Sequence, residues 1–326
     1  MRRVLRMAVL SIPCILLACG GGAVHREHFR GNIERYSGPI APGQWMRDIP
    51  VEYVDGGQTR TAKIQIYFPT GYTREKPQRT LIALHNTGGD LRDWERNSRI
   101  VGYANTYGFA VVCPGMGSTI YETQYFPETI RKWDGIPGGK WVGEVLVGFI
   151  RQRFNLAADR KLTGIVGISS GARGAVLVAE RYPEFFGAAA GLSGYYDSLS
   201  MTKSTLLASV YGEHSKFEER WKKEDNIIEL AGSLRNTPVF LAHGMDDGTY
   251  NYEQSRFLAV RLLMLRNTHL ESVRGSVKDE AALEAIARST YPFEMVLMRR
   301  EFHNWPFWNY VTPKMMDFIN RNLAKD

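Results

Sequence analysis

The chain has 326 residues, 44% of them hydrophobic and 23% charged, with a formal net charge of +7. This is ordinary globular composition, which excludes a disordered or fibrous chain and leaves room for one large domain or two small ones. Lys and Arg are scattered among Asp and Glu without a long basic run, so nucleic acid is not the expected partner.

The first residues read as a targeting segment. Met1-Arg2-Arg3-Val4-Leu5-Arg6 is a basic start, and residues 7–18 are apolar but too few to span a bilayer. The stretch ends in Leu16-Leu17-Ala18-Cys19, followed by three glycines. This is similar to a bacterial lipobox, which predicts a signal segment over 1–18, a lipidated Cys19 and a membrane partner through that lipid. A plain cleaved signal peptide is the alternative. Either way the body is exported, to the periplasmic side of a bacterial membrane or the cell surface. With the three leader arginines removed, the charge falls to +4. Residues 19–46 then form a tether and N-terminal extension, and 47–326 the main folded domain. Of three cysteines only Cys113 lies in the body, so no internal disulfide and no cysteine metal site is expected.

Apolar runs predict strands at 51–54, 62–68, 81–85, 109–113, 162–168, 187–192, 238–243 and 293–298. Several are continuously apolar, as in strands buried on both faces. Helical patterns fall at 96–107, 140–154, 170–182, 252–265, 280–288 and 313–322. The alternation predicts an α/β fold, a mostly parallel doubly wound sheet opened by an antiparallel pair at 51–68. Residues 194–236 lack strand character and carry Tyr195, Tyr196, Tyr211, Phe217 and Trp221. They predict either a cap-like insertion over a site or a pair of packing helices.

Gly167-Ile168-Ser169-Ser170-Gly171 spells G-x-S-x-G between a predicted strand and a predicted helix. A serine on such a sharp turn is a nucleophile elbow, and the flanking glycines suit its strained backbone. A serine hydroxyl needs a base, and the base needs a carboxylate to fix its tautomer. The acid candidates follow the strand at 238–243, in Gly244-Met245-Asp246-Asp247-Gly248, with Asp247 favoured over Asp246. The base candidate is His303, after the last predicted strand. The other histidines are expected in packing or loop roles. The oxyanion donors expected are the backbone N–H groups of Ser170 and Thr87, with Asn86 the alternative to Thr87. Asn86, Trp305 and Trp308 are candidates for a substrate pocket, with Trp94 and Trp133 as further aromatics.

These segments resemble the esterase D-type branch of the α/β-hydrolases, which includes S-formylglutathione hydrolases, feruloyl esterases and polyhydroxybutyrate depolymerase-like proteins. The resemblance spans about residues 60–322. It rests on Leu84-His85-Asn86-Thr87-Gly88-Gly89, Gly167 to Gly171 with Tyr182-Pro183-Glu184-Phe185-Phe186, His243-Gly244-Met245-Asp246-Asp247, and His303-Asn304-Trp305-Pro306-Phe307-Trp308. Asn86 stands where the family usually has glycine. The resemblance implies hydrolysis of a small-molecule, glycan or polymer ester on Ser169, with Asp247 and His303 as partners and no cofactor. An acyltransferase using the same residues on a sugar or lipid acceptor is a second reading, and a non-catalytic binding protein on this fold is a third.

Overall fold

Strands whose residues are apolar at every position need cover on both faces, and the computed structural model, which describes residues 26–129 and 136–324, provides it. Eight strands form one sheet: β1 Gln44–Asp55, β2 Gln58–Phe68, β3 Thr80–Leu84, β4 Ala110–Gly115, β5 Thr163–Ile168, β6 Ala188–Leu192, β7 Val239–Gly244 and β8 Phe293–Met298. Their spatial order is β1-β2-β4-β3-β5-β6-β7-β8. The β1–β2 and β2–β4 pairs are antiparallel, and all pairs from β4 to β8 are parallel. The expected doubly wound sheet with an antiparallel opening is therefore present.

Side-chain alternation along β3 divides the core. Leu81 and Ala83 join one apolar cluster, with Phe109, Val166, Ala190, Val311, Met315 and Ile319. Ile82 and Leu84 join the other, with Trp141, Val145, Val176 and Leu262. Each fully buried Leu, Ile or Val contributes on the order of 1.5–3 kcal/mol. One face is covered by the helices at 138–154, Ser170–Arg181 and Glu253–Arg274, and the other by Ile100–Tyr107 and Trp305–Asn322.

Several predicted boundaries move. β1 begins at Gln44 rather than 51, because a bulge between Met46 and Ile49, with Asp48 at φ 53°, hides its alternation. The predicted helix at 96–107 is two helices, Asp93–Asn97 and Ile100–Tyr107. Ser98 Oγ accepts the Ile100 N–H and bonds the Trp94 carbonyl, which breaks the run. The last helix starts at Trp305 rather than 313. Asn304 caps it, its side chain accepting the Phe307 N–H at 3.1 Å, and Pro313 lies inside it.

Residues 194–236 fold into short helices at Thr205–Tyr211, Glu218–Lys223 and Ile227–Leu230. They enclose an apolar cluster of their own, Tyr195, Leu207, Val210, Tyr211 and Trp221 with Ile120. Arg173, from the helix that follows Ser169, is buried and bolts this segment down. Its guanidinium donates to the Ile120 carbonyl at 2.7 Å, the Tyr211 hydroxyl at 2.8 Å and the Asp225 carbonyl at 3.0 Å. The signal segment, Cys19, Trp133 and the first part of the tether lie outside the described residues. Among the described residues no helix is long and apolar enough to cross a membrane.

Candidate active site

Parallel pairing puts the C-terminal ends of β3, β5, β6, β7 and β8 at one edge of the sheet. Leu84 pairs with Gly167, Ile168 with Leu192, Leu192 with Ala242, and Gly244 with Met298. The loops that leave those ends carry Asn86 and Thr87, Ser169, Ser193, Asp247 and His303, so residues far apart along the chain meet at a carboxyl edge where ligands bind in open α/β sheets.

Ser169 follows β5 directly and precedes the helix Ser170–Arg181. Its backbone is held at φ 57°, ψ −123°, a conformation that costs a non-glycine residue about 1–3 kcal/mol. The glycines on either side are there for space. A Cβ at Gly167 would lie 2.0 Å from the Gly171 carbonyl oxygen, and one at Gly171 would lie 2.5 Å from that of His85. The Ser169 N–H is anchored to the Leu192 carbonyl at 2.8 Å, and the residue as a whole is 7% exposed.

His303 Nε2 lies 2.9 Å from Ser169 Oγ, and His303 Nδ1 lies 2.7 Å from Asp247 Oδ2. A carboxylate only accepts, so Nδ1 carries the proton and Nε2 faces the serine hydroxyl with its lone pair. Asp247 Oδ1 accepts the N–H groups of Thr249 at 2.8 Å and Tyr250 at 3.0 Å. Burial alone would raise the Asp247 pKa. Hydrogen bonds from His243, His303 and the Tyr250 N–H outweigh it and hold the carboxyl well below its usual range. Asp246 is exposed, and only its backbone is tied in, its N–H donating to the Glu301 carbonyl at 3.1 Å.

Aromatic rings frame the imidazole. Tyr250 and Trp308 present edge-on contacts at 5.5 and 5.2 Å, and Trp305 stands 5.2 Å from Trp308. Trp308 is 4% exposed and its indole N–H donates to Ser193 Oγ at 3.1 Å. It packs edge-on against His303. Trp94 is likewise core, its N–H given to the Leu84 carbonyl at 3.0 Å. Trp305 and Asn86 are half-buried at the same edge. The segment 194–236 reaches the site through Tyr195, whose ring lies 4.5 Å from that of Tyr250.

Around the expected oxyanion donors, the Gly88 and Gly89 N–H groups are given to the Gly117 and Asn86 carbonyls, and Thr87 Oγ1 donates to the Thr119 carbonyl at 2.8 Å. Ser170 opens its helix, where N–H groups have no intrahelical acceptor and the helix dipole favours negative charge. Among the described residues, the one trio that groups possible metal ligands is Glu27, His28 and Glu144. It is an ion-pair cluster apart from Ser169: His28 Nε2 lies 2.8 Å from Glu144, the Tyr182 hydroxyl donates to Glu144 at 3.0 Å, and Lys140 Nζ stands 3.8 Å away.

A family model described as a putative esterase matches residues 58–278, more than half of the chain. The chain belongs to this esterase family. Its fold is that of an esterase D-type α/β-hydrolase. The match holds Ser169 and Asp247 and ends before His303. Feruloyl esterase B of Neurospora crassa is 31% identical over 124 residues, 35% of this chain and 38% of that protein. The MPT51/MPB51 antigen of Mycobacterium tuberculosis is 25% identical over 213 residues, 63% of this chain and 60% of that protein. The chain thus spans 38% and 60% of the length of these curated relatives. Among solved structures, the fluorophosphonate-binding serine hydrolase F of Staphylococcus aureus superposes with a TM-score of 0.60 at 17% identity, covering 86% of this chain and 99% of that one.

Tyr250, Ser193 and the contact of His243 with Asp247 were not reached from sequence. Tyr250 lies three residues after Asp247, and no spacing rule marks it. His243 is a lone histidine at a strand end, for which packing is the default reading.

Proposed function

We propose that the protein hydrolyses carboxylic esters through an acyl-enzyme on Ser169. The observation that carries this reading is the Ser169 Oγ–His303 Nε2 contact at 2.9 Å, continued by His303 Nδ1–Asp247 at 2.7 Å. Ser169 Oγ attacks the ester carbonyl while His303 Nε2 takes its proton. The Ser170 and Thr87 N–H groups hold the oxyanion of the tetrahedral intermediate. His303 then protonates the leaving alcohol, the acyl-enzyme forms, and a water activated by the same imidazole releases the acid. Asp247 stays ionised throughout and stabilises the imidazolium. Membership of an esterase family and the sharply turned backbone at Ser169 support the reading.

A small panel of acetyl, butyryl, feruloyl and long-chain esters tests it, with the feruloyl arm suggested by the Neurospora relative. Turnover and fluorophosphonate labelling are expected in the wild type, and both are lost in Ser169→Ala with the fold intact. Hydrolysis retained by Ser169→Ala would sink the proposal. The leader supports an exported enzyme held at a membrane by lipid on Cys19. Incorporation of labelled palmitate that disappears in Cys19→Ala tests that part.

A further inference from the structure

His243 is the next-to-last residue of β7, just before Gly244, and is completely buried. A buried imidazole is costly unless both nitrogens find partners. His243 Nε2 lies 3.0 Å from the Tyr250 carbonyl oxygen and 3.3 Å from Asp247 Oδ2. Both oxygens only accept, so Nε2 carries the proton and shares it between them. Nδ1 then accepts from the Ser255 hydroxyl at 2.9 Å, in the first turn of the helix Glu253–Arg274. The tautomer is fixed from both sides.

The oxygen that His243 reaches, Asp247 Oδ2, is the one that accepts the Nδ1–H of His303. Oδ1 is taken by the Thr249 and Tyr250 N–H groups. The carboxylate is thus gripped from four directions and cannot turn away from His303. We propose that His243 is a positioning residue: its Nε2–H holds the plane of the Asp247 carboxylate from behind, so that His303 keeps its Nε2 lone pair on Ser169. Its effect on rate rests on the ester-hydrolase reading; its effect on the hydrogen bond between His303 and Asp247 does not. The other titratable and charged groups facing this array are Tyr250, whose ring meets both His303 and Tyr195, and Arg173 beyond Tyr195.

The test compares His243→Leu, which fills the space without a donor, with His243→Gln, whose amide N–H can reach the same oxygens. His243→Leu should lower kcat by about tenfold or more with little change in KM, since small misplacements of reacting groups are costly. Fluorophosphonate labelling should slow by a similar factor, and His243→Gln should recover most of both. In a Ser169→Ala background, the far-downfield proton resonance of His303 Nδ1–H should move upfield and exchange faster once His243→Leu is added. If His243→Leu does not fold, Ser255→Ala, which removes the partner of Nδ1, should give the same changes on a smaller scale. Wild-type kcat, labelling and resonance in the folded variant, even with a lowered Tm, would overturn the inference and leave His243 a packing residue. If the wild type turns over no ester, the functional reading fails, and the resonance still decides the role of His243.

Discussion

Asp247 accepts the Nδ1–H of His303 at 2.7 Å across 56 positions of chain, while its neighbour Asp246 lies exposed. Two adjacent carboxylates therefore stand in very different surroundings. Asp247→Asn should lower kcat by roughly 10⁴, as expected when an imidazole loses the partner that sets its tautomer. Asp246→Asn should leave kcat within about tenfold. Steady-state kinetics on one activated ester separates the two, and equal losses would mean that the acid is misassigned.

Asp247 also links stability to acid. Its pKa is depressed in the fold, so the stability it contributes is full above its unfolded value of about 4 and is lost as pH falls through the lower folded value. Urea unfolding at neutral pH and at about pH 3 should show the gap between wild type and Asp247→Asn narrowing as pH drops. A gap that widens would contradict the direction of the shift.

Glu180 runs the opposite way. It lies buried in the helix Ser170–Arg181, and neither carboxylate oxygen has a hydrogen-bond partner among the described residues. Burial raises its pKa well above the ordinary value. The folded protein then keeps a proton that the unfolded chain releases above about pH 4, so stability falls as pH rises from there. Glu180→Gln should remove that slope. Paired unfolding curves at mildly acid and neutral pH check this, and an unchanged slope would count against it.

Gly171→Ala should destabilise by about 2 kcal/mol or more, because a Cβ there meets the His85 and Leu84 carbonyl oxygens at 2.5 and 2.6 Å, and backbone cannot yield easily. Gly232→Ala, with nothing within 4 Å, should stay within about 0.5 kcal/mol. Denaturation midpoints for the pair measure the difference.

The sheet was readable because strands buried on both faces announce themselves as apolar runs, and β3 to β7 do so; β8, at the edge of the sheet, is half-buried or exposed along its length but is still largely apolar. Where something local interferes, the pattern misleads. The bulge at Asp48 hid half of β1, and Pro313 looked like a helix start although a helix already capped by Asn304 runs through it. The helix Glu253–Arg274 extends past its predicted end at 265 because its last turns are largely exposed and show no apolar stripe. At the site, the order Ser169, Asp247, His303 could be read because acid and base each follow a recognisable strand. The supports around them could not. Arg173, Tyr211 and Asp225 form their buried network from three segments, and nothing in the local sequence of any one names the other two.

The twisted backbone at Ser169 has a consequence for engineering. Glycine would occupy φ 57°, ψ −123° without penalty, so Ser169→Gly relieves strain at the very residue on which the proposed chemistry depends. A library of this protein sorted for heat resistance alone would tend to enrich inert clones, and any such campaign needs a turnover screen run beside it.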